Sequence, residues 1–235
     1  VGTIRSLFHY PVKGLSPQPL ERVELAPGRG FPCDRAFGLA RADSGFDPAR
    51  PAPLPKTRFF MLQRDERLAG LQTWLDPKTE RFTIRIKGRL AHECDLSEPA
   101  GVAATVSFFS TMFGLDAAHR PIFARGDPHR FTDVSVTSPR MMHAVSLINL
   151  SSVEDLARRI GMAVDPLRCR GNIYFDGWPP WRELDLVDTE LSIGAVRLRI
   201  LKRTSRCAAT EVNPATARRD LPVPRMLMTN YGHAD

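Results

Sequence analysis

Of the residues able to do chemistry, Cys207 has the most suggestive neighbours. It stands in RTSRCAATEVNPAT, residues 203–216, with Arg203 and Arg206 before it and an Asn-Pro turn after it. Together with Lys202, these cations favour the thiolate, the form that attacks electrophiles or binds soft metals. A buried, inert cysteine fits the same letters, so packing, nucleophile and metal ligand all stay open on spacing alone. A phosphate-binding loop of the C-x5-R kind is excluded, because the residue six places after Cys207 is Asn213.

A second group of residues could hold an anion. Lys13 in YPVKG and Arg35 in PCDRAFG stand at expected strand ends, where binding groups are commonly displayed. Ser151 and Glu154 have the spacing of a capping box, and a helix opening there would present free N–H groups and a positive dipole end. A capped helix and solvated cations account for the same letters. Neither a P-loop nor a dinucleotide fingerprint is present: GRGFPC from Gly28 lacks the third glycine and a following helix. The six histidines show no HExxH-type spacing, which leaves a hydrolytic zinc site without support. Trp178 and Trp181 in DGWPPWREL read as a rigid turn with aromatic packing.

The elements that must position these groups are mostly strands. TIRSLFHYPVKG, Glu21–Leu25 and Arg81–Gly88 alternate with period two, and ELSIGAVRLRILKRTSRC reads as a hairpin turning at Gly194. HAVSLIN and the strand after CRGN are two more. Residues 43–56 are rich in proline and turn formers and read as an exposed loop. Three helices are expected: DERLAGLQTWLDP, ended by Pro77; a helix opening at Ser97 with Pro99 in its first turn and closing at Gly114; and one from Ser151 with an apolar face of Val153, Leu156, Ala157 and Ile160, stopped by Gly161. The class is mainly β with α, barrel-like, and the helix after Ser97 marks a seam between parts 1–96 and 97–235.

Composition narrows the setting. At 235 residues the chain can bury a substantial core without staples. Cys33, Cys94, Cys169 and Cys207 are far apart, with no CxxC pair, which favours a reducing compartment and a cytoplasmic location. No apolar run approaches membrane-spanning length. The net charge of +7 suits an anionic partner, yet the arginines are scattered and weakly interleaved with aromatics, so a nucleic-acid binder ranks last.

Taken in order, YPVKGLSP, CDRAFGL, SLINLSSVEDLARRIG, RCRGNIYFDG, LSIGAVRLRILKRTSRCAATEVNPAT and the final YGHAD resemble a MOSC-domain protein with its N-terminal β-barrel partner, similar to the amidoxime-reducing component proteins. The likeness spans nearly the whole chain. It implies a molybdenum cofactor (molybdopterin) whose metal is coordinated by Cys207, with no role for pyridoxal phosphate. It further implies that Lys13, Arg35, Arg170 and Arg206 hold the pterin or its phosphate, with Asn149, Ser151 and Asn172 beside them. The activity implied is reduction of small N-hydroxylated or N-oxide-type molecules. No Fe–S cysteine run is present, so electrons are expected from an external ferredoxin-like or flavin reductase system, without nucleic-acid or membrane partners. A carrier of sulfur or molybdenum cofactor on Cys207 is the alternative.

The chain departs from the resemblance in three places. Met141, Met142 and His143 stand where the amidoxime reducers carry an Asp-containing turn, and Cys169 replaces a large aromatic residue. The relatives also continue past YGHAD, so a longer native chain is expected.

Overall fold

The computed structural model describes residues 1–233 and 235; Ala234 of the closing YGHAD lies outside the described residues. The N-terminal alternation makes β1 (Thr3–His9), and the chain returns along one edge of it as β2 (Gln18–Leu20). The expected strand at Glu21–Leu25 is therefore displaced: pairing is done by the three residues just before it, and residues 21–25 are irregular. β3 (Phe37–Ala40) is buried at every position. Residues 43–56 form the expected loop, from which Phe46 dips between Phe59 and Phe131.

The expected helix over DERLAGLQTWLDP divides instead. Glu66–Gly70 is a 3-10 turn and β4 (Leu71–Leu75) is a strand. The two buried leucines are four residues apart, a spacing that a helix face and a strand face share, and pairing with β5 (Arg81–Ile86) decides for the strand. β5 turns at Lys87 and Gly88, both at positive φ, into β6 (Arg89–Asp95). The helix α1 (Pro99–Phe113) packs Val102, Val106 and Phe109 on this three-stranded sheet and stops at Gly114 as expected. Its cap is Glu98, not Ser97, whose hydroxyl is committed to Asp95 at 2.5 Å.

β7 (Ile122–Arg125) pairs antiparallel with β3. After the short α2 (Pro139–Met142) come β8 (Leu147–Asn149), α3 (Leu150–Ile160) and β9 (Ile173–Asp176). The Ser151–Glu154 capping box does not form. The cap is Asn149, whose Oδ1 accepts the Ser151 N–H at 3.2 Å, because the helix begins two residues earlier than the box requires. β10 (Glu190–Ile193) and β11 (Val196–Arg199) make the expected hairpin, and α4 (Val223–Tyr231) packs against α3. The helix α4 has no counterpart in the sequence reading.

The fold is mainly β with a few helices. Its strands fall into a four-stranded sheet β2-β1-β9-β8, the sheet β4-β5-β6, and the pairs β3-β7 and β10-β11. The barrel-like closure expected from the alternation is not seen among the described residues. No helix among them is long and apolar enough to cross a membrane.

Candidate functional site

Strand pairing brings distant letters together. Because β1 runs antiparallel to β9, its C-terminal end meets the N-terminal end of β9, and the Phe8 N–H donates to the Asn172 carbonyl at 2.8 Å. The stretch Tyr10–Lys13 thus lies beside Arg170–Asn172. Residues 35–37 run along the same stretch: Arg35 N–H donates to the Tyr10 carbonyl at 2.7 Å and Lys13 N–H to the Phe37 carbonyl at 2.8 Å. Gly171 lets the chain pass under β8, since a Cβ there would stand 2.2 Å from Ile148 Cγ1. Arg35 and Arg170 both adopt left-handed backbone, φ 48° and 52°. Such residues cost on the order of 1–3 kcal/mol each and persist where the surroundings over-determine them, often at functional sites.

The charges here are unbalanced. Arg35 Nη1 reaches both Asp34 oxygens at 2.7 and 2.6 Å, and its Nη2 donates to the Arg170 carbonyl at 2.9 Å. Arg170 donates to the Leu15 carbonyl at 2.8 Å and, among the described residues, forms no ion pair. Burial pulls its pKa below the usual range. Both guanidinium carbons lie 4.3 Å from the centroid of the Tyr10 ring. The buried Lys13 ammonium donates to the Phe131 carbonyl at 2.9 Å and to Asp133 Oδ1 at 2.5 Å; burial lowers its pKa in spite of Asp133. The other Asp133 oxygen accepts from Lys56 at 3.4 Å. Burial works to raise the Asp133 pKa, but Lys13 first and then Lys56 outweigh it and hold the group at about 2. Half of that side chain remains open, so solvent screens the pair on one side. Lys56 in turn has a raised pKa: burial opposes its charge, and Asp133 and then the Cys207 sulfur outweigh it. Four cations, Lys13, Arg35, Lys56 and Arg170, thus face two carboxylates, Asp34 and Asp133.

Cys207 reaches the same place from the other half of the chain. It ends an irregular stretch after β11 and begins the 3-10 turn Ala208–Glu211, its carbonyl accepting from the Thr210 N–H at 2.9 Å and the Thr210 hydroxyl at 2.8 Å. Two arginines clamp this turn. Arg168, whose side chain is 3% exposed, donates to the Glu211 carbonyl at 2.9 Å and pairs with Asp220 at 2.5 Å. Arg219 donates to the Ala208 carbonyl at 2.9 Å and to the Leu62 and Gln63 carbonyls at 2.8 Å, tying the turn to the N-terminal half.

A cavity of about 1080 Å³ joins the two ends. Lys13, Arg35, Asn149, Arg170, Asn172, Arg206 and Cys207 line it; Ser151 does not. The amides of Asn149 and Asn172 are spent inside the protein. Asn149 Nδ2 donates to the Pro179 carbonyl and Glu183, and Asn172 bonds Ser146 and the Phe8 carbonyl. Glu183 also takes the Ser152 hydroxyl at 2.6 Å, so a carboxylate of the chain itself occupies the start of α3 where the sequence reading placed a ligand anion. Sequence reasoning missed Tyr10, Asp34, Lys56, Asp133, Arg168 and Arg219 as parts of this assembly. Asp34 was legible beside Arg35 in CDR, whereas the others join through contacts distant in sequence. No acid stands in the turn before β8, but Asp133 brings one to the cavity from further upstream, while Met141 and His143 line the wall.

The strand ends thus offer surplus cations to an anion, and the same cavity offers a thiol, a soft-metal donor. The MOSC domain model matches residues 126–232 and the MOSC N-terminal beta barrel domain model matches residues 1–119, so the chain belongs to the MOSC family and carries that family's N-terminal domain. MOSC domains are associated with molybdenum-cofactor-binding proteins. No curated protein matches the chain.

Proposed function

We propose that the protein is a molybdenum-cofactor-dependent oxidoreductase that reduces small N-hydroxylated or N-oxide-type molecules. The observation that carries this reading is Arg170: a largely buried cation with no carboxylate partner among the described residues, held in strained backbone on the cavity that also holds Cys207. An anionic group completes such a site without the desolvation cost of a buried acid. Lys13, Arg35, Arg170 and Arg206 would hold the terminal phosphate of the cofactor, and the Cys207 thiolate would ligate the metal. No three His, Cys, Asp or Glu side chains cluster as a metal cage among the described residues, and a metal that arrives with organic ligands needs only one from the protein.

When bound, the cofactor supplies the two-electron redox chemistry. The chain's own residues bind and orient. Asp133, ionised throughout the physiological range, keeps the Lys13 and Lys56 ammonium groups turned toward the cavity. Lys56 sets a positive charge against the Cys207 sulfur. The net reaction consumes two electrons and two protons and releases the substrate oxygen as water. The electrons come from an external ferredoxin-like or flavin reductase system.

The test is molybdenum content by mass spectrometry and pterin fluorescence after oxidation on protein expressed with molybdate, followed by turnover of an N-hydroxylated amidine with a reduced artificial donor. Near-stoichiometric metal and pterin with turnover are expected. Metal and pterin without turnover would favour the carrier alternative, and a folded protein holding neither would overturn the reading.

A further inference from the structure

Tyr10 is wholly buried and does not line the cavity, yet both arginines that line its strand-end wall rest on the Tyr10 ring. The same residue organises Arg35 through its backbone. Its N–H donates to Asp34 Oδ1 at 2.8 Å, fixing the acid that pairs with Arg35, and its carbonyl accepts the Arg35 N–H. Its hydroxyl, in contrast, has no hydrogen-bond partner among the described residues; it lies near the Tyr174 hydroxyl, which itself accepts from the Gly171 N–H at 2.9 Å. The ring, not the oxygen, is the part in use.

We propose that Tyr10 is a positioning residue whose ring carries both the Arg35 and the Arg170 guanidinium groups, each 4.3 Å from its centroid, so that both reach one phosphate monoester. This rests on the cofactor reading above. Two guanidinium groups repel, and a carboxylate placed between them would draw them together only by occupying the donors meant for the ligand. An aromatic face attracts both cations through its quadrupole while carrying no net charge. Planar groups resting on a ring also keep their in-plane N–H donors free to fork onto phosphate oxygens. Arg170 shows this directly: a single one of its donors is taken by the protein among the described residues, whereas Arg35, with Nη1 on Asp34 and Nη2 on the Arg170 carbonyl, offers the ligand its Nε–H and the remaining Nη2 hydrogen.

Calorimetric titration of inorganic phosphate into the full chain, expressed without cofactor, tests the proposal. Tyr10→Phe keeps the ring and should bind phosphate within about twofold of the parent. Tyr10→Leu should bind about tenfold more weakly, the scale of desolvated cation–π contacts. Because Tyr10→Leu changes the core, phenylalanines bearing one, two and three ring fluorines at position 10 provide a second series that keeps volume and drains the face of electron density. Phosphate affinity should fall stepwise with fluorine count. A flat fluorine series, or a folded Tyr10→Leu that binds like the parent, would overturn the role of Tyr10 alone. A parent that binds no phosphate would overturn the anion site, and this proposal with it.

Discussion

Lys13, Arg35 and Arg170 reach the cavity from strand ends embedded in the sheet β2-β1-β9-β8, whereas Cys207 reaches it from an irregular stretch after an isolated hairpin whose residues are exposed or half-exposed. The first end is fixed by backbone pairing, and the fold tolerates left-handed backbone and surplus charge there. The second is fixed by side chains, chiefly the Arg168 and Arg219 clamps on the turn after Cys207. An anion receptor must hold desolvated donors in place before its ligand arrives, which suits a rigid sheet. A single soft ligand needs only to be aimed, which suits a clamped turn.

If the two ends are built independently, each can be broken alone. The largest expected effect is that of Cys207→Ser: turnover of an N-hydroxylated amidine is all but lost while the melting temperature moves by about 2 °C or less, because the side chain is half-buried and belongs to none of the apolar clusters. Turnover assays and calorimetry on one sample check both halves. Arg168→Met should come next. It strips the clamp and leaves Asp220 unpaired, destabilising the fold by about 2 kcal/mol once the exposure of Asp220 is allowed for, read as a lower urea midpoint.

The contrast sharpens at Arg170. Replacement by Met should leave the cofactor-free protein as stable as the parent or more stable by about 1 kcal/mol, because it removes a largely buried cation that pairs with no acid among the described residues, while phosphate binding falls. A marked loss of stability without loss of phosphate binding would make Arg170 a structural residue.

The smallest effect concerns pH. Asp133 has a folded pKa of about 2, below the ordinary carboxylate value near 3.9, so its stabilising contribution is present above about pH 4 and is lost as the pH falls toward 2. Asp133→Asn should flatten that part of the stability curve, and urea midpoints at pH 7 and pH 3 should differ less than in the parent. Because half the side chain is open, the change is modest.

Local patterns carried much of this fold into the sequence. Period-two runs located β1, β5 and the β10-β11 hairpin, and the stops at Gly114 and Gly161 are where the letters put them. Patterns compatible with two periods failed, as at Leu71–Leu75, and so did caps: the Ser97 hydroxyl is taken by Asp95, and Asn149 caps α3 before the chain reaches Ser151. At the site, motif residues such as Lys13, Arg35, Arg170 and Cys207 were visible as letters and do line one cavity. Their supports were not. Tyr10 under two arginines and Asp133 between two lysines each include a contact across more than a hundred residues, to Arg170 and to Lys13, which no local spacing encodes.

The most direct test of the central claim, that the strand-end cations and Cys207 serve one ligand, is X-ray absorption at the molybdenum edge on the parent and on Cys207→Ser, each loaded with cofactor. The account predicts one sulfur neighbour fewer at the metal in the variant, with pterin still retained through Lys13, Arg35 and Arg170. An unchanged sulfur count would contradict it, and so would a variant that loses pterin and metal together.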